Sequence, residues 1–298
     1  MHKTIHCSDI TTNEVQHFLN HAIAPRPICF ASTIDSRGNS NLSPFSYFNV
    51  FSVNPPVIVF SPSTRVRDNT PKHTFLNLQE IPEVAVNIVT YDMIQQVNLS
   101  SCDYPKDTDE FVKAGFSKEP SHLIRPFRVR ESPVQLECKV TDIRPLGENG
   151  GAGNLVIAEV MLIHIDDRIL TEAGTIDQRK LDLAARLGGN WYARINNSNL
   201  FEVPRPNQHL GIGIDELPPS IKNSAILSGN HLGILANIAE IPMVDASFED
   251  EKLTSIFQYY SVNPDEMEQE LHRYAAVLLG QRKVSEAWQV LLSLAGTA

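Results

Sequence analysis

The alternation of apolar and polar residues over 134–143 constrains the fold of this chain most strongly. In this segment, VQLECKVTDI, apolar side chains take every second position as far as Val140, and polar ones stand between them. A period of two residues is typical of an antiparallel strand that buries one face. A second apolar run, residues 154–165, follows a glycine-containing segment at 147–153. The two runs therefore predict a β-hairpin with a long tip.

Four earlier segments also have the composition of strands. Residues 27–35, 56–61 and 84–90 are short runs rich in apolar and β-branched side chains. The last two are apolar enough to predict strands buried on both faces. Residues 41–51 alternate aromatic and small polar side chains, but Pro44 lacks a backbone donor, so we expect an edge strand or a bulge.

Short strands joined by turns dominate the first part of the chain. This pattern predicts a mainly β fold, a β-barrel with α additions. Residues 72–79 have apolar side chains at helical spacing and predict a helix between two of the strands. A doubly wound nucleotide-binding fold would alternate strands with helices of about ten or more residues, and the sequence lacks that pattern.

The pattern changes after about Pro206. We therefore predict two domains, a barrel domain over residues 1–206 and a helical C-terminal extension over residues 207–298. Asn263 should cap one helix of the extension, with Pro264 at its first position. Apolar spacings of three and four residues predict helices over residues 223–238, 248–260, 264–279 and 281–294.

Charge and cysteine content narrow the class of protein. The 298 residues carry a formal net charge of −10, which argues against nucleic acid or an anionic membrane as a partner, because both require a basic face. The sequence has neither a secretory signal nor an apolar run of about 18 residues. We expect reduced thiols in a cytoplasmic protein, since no CxxC pair occurs among Cys7, Cys29, Cys102 and Cys138.

A basic segment stands out in this acidic chain. Residues 61–74, SPSTRVRDNTPKHT, contain Arg65, Arg67 and Lys72 against a single acidic residue, together with several hydroxyl side chains. The segment joins a predicted strand to a predicted helix. Cations, hydroxyls and free backbone N–H groups at a helix N-terminus are groups that bind a phosphate monoester. A solvated loop that is basic by chance fits these residues equally well.

Residues 41–49, NLSPFSYFN, place small polar side chains beside aromatic ones. A planar heteroaromatic ligand suits such a segment, because apolar surface covers its face while hydroxyls and amides meet its polar edge. An aromatic edge strand without a ligand is the alternative. The phosphate-type segment that follows favours the ligand.

Motifs of several other enzyme classes are absent. The sequence contains no GxxxxGK[ST], HExxH or GxSxG. His17 and His21 could share a helix face, but no third ligand accompanies them, so we expect solvated surface residues and no metal site. The scattered carboxylates suggest no acid/base pair, and the catalytic residues stay unknown.

Five motifs together carry a resemblance to a known family. They are residues 24–61, Lys72-His73-Thr74 with Asn77, residues 82–87, Glu131-Ser132-Pro133 before Glu137-Cys138, and Arg186-Leu187-Gly188-Gly189 with Tyr192. In this order they resemble the flavin reductase-like (flavoredoxin-type) family of FMN-binding split barrels. The resemblance covers residues 12–206. It departs at His73, where the family commonly has an aspartate.

The resemblance implies a split barrel that holds FMN without a covalent bond. It also implies a homodimer with the flavin near the subunit interface, so that the residues closing the site could come from the partner chain. The implied contacts are Asn41, Leu42, Ser43, Pro44, Phe45 and Ser46 for the flavin ring, Ser61, Ser63, Lys72 and Thr74 for its phosphate, and Arg186, Gly189 and Tyr192 for closing the site.

Three functions are compatible with such a protein. The resemblance favours an NAD(P)H-dependent flavin reductase, in which NADH or NADPH passes a hydride to FMN and a second acceptor takes the electrons. A flavoredoxin-like electron carrier, reduced by a redox partner protein, is one alternative. A non-catalytic flavin-binding module that uses its helical extension for docking is the other.

Overall fold

The chain folds into two compact units. The computed structural model describes residues 1–204 and 210–293, and the units are Met1–Phe201 and Glu202–Ala298. The predicted boundary after residue 206 lies outside the described residues, as does the predicted helix end at residue 294. Within the described ranges, no helix combines the length and the apolar character needed to cross a bilayer.

The first unit contains a seven-stranded sheet. The strands described are β1 (Cys29–Ile34), β2 (Ser40–Phe45), β3 (Phe48–Val53), β4 (Pro56–Phe60), β5 (Glu83–Ile88), β6 (Lys118–Glu119), β7 (Arg128–Val129), β8 (Val134–Pro145), β9 (Asn154–Ile165), β10 (Leu183–Arg186) and β11 (Tyr192–Ile195). The large sheet has the order β2-β1-β5-β8-β9-β4-β3, and all its neighbouring strands are antiparallel. The predicted mainly β fold is confirmed.

In the described residues, four α-helices belong to the first unit and five to the second. The helices described are α1 (Thr12–Ala22), α2 (His73–Glu80), α3 (Ile94–Ser100), α4 (Glu110–Ala114), α5 (Pro219–Lys222), α6 (Gly229–Ala236), α7 (Glu251–Tyr259), α8 (Pro264–Gly280) and α9 (Val284–Leu292). Helix α2 is the one predicted over residues 72–79. Helix α1 starts with a capping box between Thr11 and Glu14 and buries none of its own residues.

Strands β8 and β9 form the predicted hairpin, paired from Val134↔Ile165 to Pro145↔Asn154. The prediction that β8 exposes one face is wrong for its first half, where Gln135 is 7% and Glu137 is 0% exposed. The segment before β7 covers this face, because the backbone N–H groups of His122 and Leu123 donate to the Glu137 carboxylate at 2.8 and 2.6 Å. A tertiary contact thus buries residues that the alternation assigns to solvent.

Strands β2 and β3 are the two ends of the sheet order. The edge position predicted from Pro44 is confirmed, since β2 pairs only with β1. The burial predicted for residues 84–90 is also confirmed in β5. For β4 it is wrong: Val57 and Val59 are only half-buried. In the neighbouring strand β3, Phe51 and Val53 are 68% and 87% exposed.

The second unit has a core of its own, which includes Ile256, Leu271 and Trp288. Helix α8 begins as predicted, with Pro264 first and Asn263 accepting a hydrogen bond from Glu266 N at 3.4 Å. The helix predicted over residues 223–238 is shorter than expected, because residues 223–228 form a turn and α6 begins only at Gly229. There the Ser224 hydroxyl accepts bonds from the N–H groups of the turn that follows it, a local arrangement that competes with helix formation.

Candidate functional site

A cleft of about 710 Å³ opens in the first unit. Its walls are α1, the turn between β2 and β3, the loop after β4 and residues 186–189. The aromatic segment 41–49 and the basic segment 61–74 therefore face one common space. Nine of the predicted ligand contacts line it, namely Ser43, Pro44, Phe45, Ser46, Ser61, Ser63, Lys72, Arg186 and Gly189.

The cations of the basic segment converge on one carboxylate, Asp103. Its oxygens lie 3.0 Å from Arg65 Nη2, 2.9 Å from Arg67 Nη2 and 3.4 Å from Lys72 Nζ. Partial burial opposes ionisation of Asp103, but the hydrogen bond from Arg65 and the neighbouring positive charges lower its pKa below the usual value. With Asp68 also counted, three cations and two carboxylates leave a net positive charge at this end of the cleft.

The tip of the β8–β9 hairpin holds the basic segment in place. Thr64 N donates to Ala152 O at 2.9 Å, and Gly151 N donates to Thr64 O at 3.2 Å. A Cβ at Gly150 would stand 2.8 Å from Val66 O and 3.0 Å from Arg65 O. The absence of a side chain at Gly150 is what lets the two segments approach so closely.

Ser61 places a buried hydroxyl at the cleft wall. The residue is 8% exposed, and among the described residues its Oγ has no hydrogen-bond partner. A Cβ at Gly153 would lie 2.7 Å from this oxygen and fill the space beside it. A buried polar group left unpaired costs about 1–3 kcal/mol, which a polar ligand in the cleft would recover.

Arg26 ties three walls of the cleft together. It is 7% exposed. Its guanidinium donates to Asn20 O in α1 at 2.7 Å, to Leu187 O at 3.0 Å and to Ser46 Oγ at 3.4 Å. Arg26 could not be singled out from the sequence, because most of its partners are backbone carbonyls, which carry no sequence signature.

Helix α1 supplies a wall that sequence reasoning missed. His17 and His21 are exposed, as expected, but they line the cleft, and their ring centroids lie 4.0 Å apart. The capping residues Thr11 and Glu14 could have revealed the helix, although not its place over the cleft. The residues of α1 that face the cleft are Asn13, Gln16, His17, Asn20 and His21.

Arg186 separates the cleft from a second cavity of about 390 Å³. Its guanidinium lies 4.5 Å from the centre of the Tyr192 ring and donates to Trp191 O at 3.1 Å and Gly189 O at 2.6 Å. Tyr192, predicted to close the site, lines the second cavity and not the cleft.

Three further predicted contacts lie behind the cleft wall and do not line it. Leu42 is 0% exposed in the core beside Phe30 and Phe111. Asn41 and Thr74 are also buried, and the Thr74 hydroxyl donates to Asn41 Oδ1 at 2.7 Å. Their direction follows from packing, which residue type alone does not reveal.

His73, which stands where the family commonly has aspartate, begins α2 next to Lys72. Burial, and then the nearby charges of Arg65, Lys106 and Lys72, lower the pKa of His73 below its ordinary value. The ring is therefore neutral at neutral pH. It adds no charge to the cation-rich end of the cleft.

His122, Glu137 and His164 bring three potential ligand atoms within 4.8 Å of one another. Both oxygens of Glu137 already accept N–H groups, and His164 Nε2 lies 2.7 Å from Oε1. Arg128 Nε also stands 3.7 Å from this carboxylate. The Glu137 carboxylate has its hydrogen-bond partners within the protein, so we interpret the three residues as a structural cluster.

Residues 21–182 match the model of the flavin reductase like domain, which is more than half of the chain. The chain belongs to the flavin reductase-like family. The matched region contains residues 43–46 and the basic segment 61–74, which line the cleft. Arg186, Gly189 and the second unit of this flavin reductase-like protein lie beyond it.

Similar proteins support the assignment of the fold. An uncharacterised protein of Halalkalibacterium halodurans is 35% identical over 199 residues, 66% of this chain and 93% of that protein. Component B of nitrilotriacetate monooxygenase from Bacillus cereus superposes with a TM-score of 0.64 at 27% identity, over 68% of this chain and 99% of its own. A Shewanella frigidimarina protein assigned as a flavin reductase with a split barrel domain gives 0.57 at 26% identity, over 66% and 95%. The flavin reductase-like protein is thus a split barrel with additional residues outside these alignments.

Proposed function

We propose that this protein binds FMN non-covalently in the cleft and acts as an NAD(P)H-dependent flavin reductase. One observation carries the proposal: the cleft joins an apolar, hydroxyl-bearing wall at residues 43–46 to the cation cluster of Arg65, Arg67 and Lys72, beside the buried Ser61 hydroxyl, which has no partner in the described part of the chain. A ring with a phosphorylated tail matches both ends. Membership of the flavin reductase-like family and the names of the similar structures support the same function.

The phosphate end is built from Ser61, Ser63, Arg65 and Lys72. The Ser61 hydroxyl is free to donate, and Lys72 Nζ uses one N–H bond on Asp103 and has two more. Charge-assisted bonds of this type contribute about 1.5–3 kcal/mol each. These residues fix the phosphate, and so the position of the whole ligand.

The ring end is built from Pro44 and Phe45, which offer apolar surface, and from Ser43 and Ser46, which offer hydroxyls. Arg26 holds Ser46 and thereby the turn after β2. When bound, FMN supplies the hydride acceptor for NADH or NADPH, while the chain orients the reactants and excludes water. No side-chain acid or base is assigned, because this chemistry does not require one.

A second copy of the chain is part of the proposal. Phe51, Val53 and Trp191 are 68%, 87% and 73% exposed in one chain, which favours a surface that another protein covers. Trp191 lies two residues from Gly189 at the cleft. A homodimer formed through this surface would bring its partner close to the flavin.

The test is an anaerobic titration of the purified holoprotein. We expect a yellow protein whose flavin absorbance bleaches within seconds of adding NADH or NADPH. Bound flavin that ignores both nucleotides would overturn the reductase activity and favour an electron carrier reduced by a redox partner protein.

The second unit favours one alternative function, a non-catalytic flavin-binding module that docks another protein. This unit has its own core and lies outside the family match, as a docking element would. A chain that ends at residue 201 tests it. If the shortened protein still binds FMN while the flavin of the full chain ignores both NADH and NADPH, the interaction module is supported; reduction by either nucleotide contradicts it.

A further inference from the structure

Glu110 is a buried carboxylate behind the strand that lines the cleft. It is the first residue of α4 and is 4% exposed. Its Oε2 accepts a hydrogen bond from Leu42 N at 3.0 Å, and its Oε1 accepts one from Asn41 Nδ2 at 3.0 Å. These two residues come directly before Ser43 in β2. Glu110 therefore fixes β2 at the two residues that directly precede the part of the strand lining the cleft.

The same network reaches the phosphate end of the cleft. Asn41 Oδ1 accepts the bond from Thr74 Oγ1 at 2.7 Å. Thr74 is 1% exposed in the first turn of α2, two residues after Lys72. One chain of bonds, Glu110–Asn41–Thr74, thus joins the ring-side strand to the start of the helix at the cation cluster.

The charge of Glu110 has no cation bonded to it among the described residues; its hydrogen-bond partners are neutral groups. Burial raises the pKa of Glu110, and the bonds from Leu42 and Asn41 oppose that effect. Both carboxylate oxygens face N–H donors, an arrangement that favours the ionised form. A negative charge therefore lies in the interior, close to β2.

We propose that Glu110 is a positioning residue for the cleft and lowers the reduction potential of the bound FMN. The inference rests on the proposed function. Its hydrogen bonds fix the part of β2 that leads into Ser43. Its charge opposes the negative charge that the ligand gains on reduction, because charges interact strongly through a medium of low dielectric constant.

Glu110→Gln separates the charge from the hydrogen bonds. The glutamine Oε1 would accept the bond from Leu42 N, and its Nε2 would donate to Asn41 Oδ1 once the Asn41 amide has turned over. Asn41 Nδ2 would then donate to the Thr74 hydroxyl, so every group keeps a partner. Glu172→Gln is the matched control, because it removes the same charge from an exposed position of the first unit that does not line the cleft.

The measurement is the midpoint potential of the bound flavin at one fixed pH. We expect Glu110→Gln to retain FMN and to shift the equilibrium constant for two-electron reduction about tenfold or more toward the reduced form, about 30 mV. Glu172→Gln should keep the wild-type potential. A Glu110→Gln protein that binds FMN at the wild-type potential would overturn the proposal.

Glu110→Asp keeps the charge and shortens the side chain, so it decides the matter should Glu110→Gln fail to fold. Its shorter side chain cannot reach both Leu42 N and Asn41 Nδ2, so weaker FMN binding than in the wild type supports the positioning role, and wild-type affinity overturns it. If the wild-type protein binds no FMN, that result contradicts the proposed function itself and is distinguishable from a failure of the role given to Glu110.

Discussion

Buried polar side chains of the first unit differ in whether they find hydrogen-bond partners within the protein. Asn87 donates to Phe30 O at 2.9 Å and accepts from Val129 N at 2.8 Å. The hydroxyls of Ser32 and Ser61 have no partner among the described residues. Ser32 lies within β1, whereas Ser61 lines the cleft. The two serines are therefore a matched pair for testing whether the cleft receives a polar ligand.

Ser61→Ala should weaken FMN binding by about 1.5–3 kcal/mol, roughly 10- to 150-fold in Kd, because a hydrogen bond to the charged phosphate is lost. Ser32→Ala should leave the Kd unchanged. Quenching of flavin fluorescence on titration measures both values. Equal effects from the two variants would show that the Ser61 hydroxyl does not meet the ligand.

Glu137 should make the stability of the protein depend on pH. Burial alone would raise its pKa, but the N–H groups of His122 and Leu123 and the His164 ring lower it below the ordinary value. A carboxyl with a lowered pKa in the folded state adds stability above its unfolded pKa, about 4.3, and loses it as the pH falls toward the folded pKa.

The free energy of unfolding should therefore fall more steeply with acidification in the wild type than in Glu137→Gln, over roughly pH 5 to 3. Denaturant unfolding at several pH values measures this slope. Glu172→Gln, altered at an exposed position, should keep the wild-type slope. Parallel slopes for wild type and Glu137→Gln would contradict the role given to the buried carboxylate.

At the scale of elements, the β8–β9 hairpin does two things. Its strands occupy the interior of the large sheet, and its tip supports the basic segment through Thr64 and Gly151. The position of the basic segment therefore depends on a turn that does not itself line the cleft. At Gly150 an added Cβ would meet backbone oxygens of the basic segment, which cannot move aside as the end of a side chain could.

Gly150→Ala should displace the basic segment and weaken FMN binding by about 1–3 kcal/mol, the usual cost of forcing extra volume into a packed contact. Gly147→Ala is the control in the same tip, since a Cβ there would meet only Ala152 Cβ, at 3.5 Å. Calorimetric titration with FMN compares them. Wild-type affinity in Gly150→Ala would mean that the tip does not support the site.

Elements were predictable from the sequence where the cause is local. Three features were predicted in this way: the alternation of β8, the edge position indicated by Pro44 and the helix cap at Asn263. Each depends on residues that lie only a few positions apart. Asp103, Arg26 and Glu110 were not predictable as parts of the site, because their partners lie elsewhere in the chain and leave no periodic pattern. For Asn41 and Thr74 the residue type suggested ligand contacts, while packing turned both side chains toward each other.

At the scale of the whole molecule, the proposed homodimer rests on exposed apolar residues of β3. Phe51→Asp should weaken dimerisation by about 2 kcal/mol or more, because a charge would enter the centre of an apolar interface. Val262→Asp, at a residue 93% exposed in the second unit, should have no effect. Sedimentation velocity distinguishes the species, and a monomeric wild-type protein would refute the proposed dimer.

The central claim is that one cleft binds a flavin ring together with its phosphate. Calorimetric titration of the flavin-free protein with FMN and with riboflavin tests it most directly, since the two ligands differ only in the phosphate. The cation cluster and Ser61 predict FMN to bind at least about 100-fold more tightly, the effect of two charge-assisted bonds. Equal affinities, or no binding of either ligand, would contradict the account.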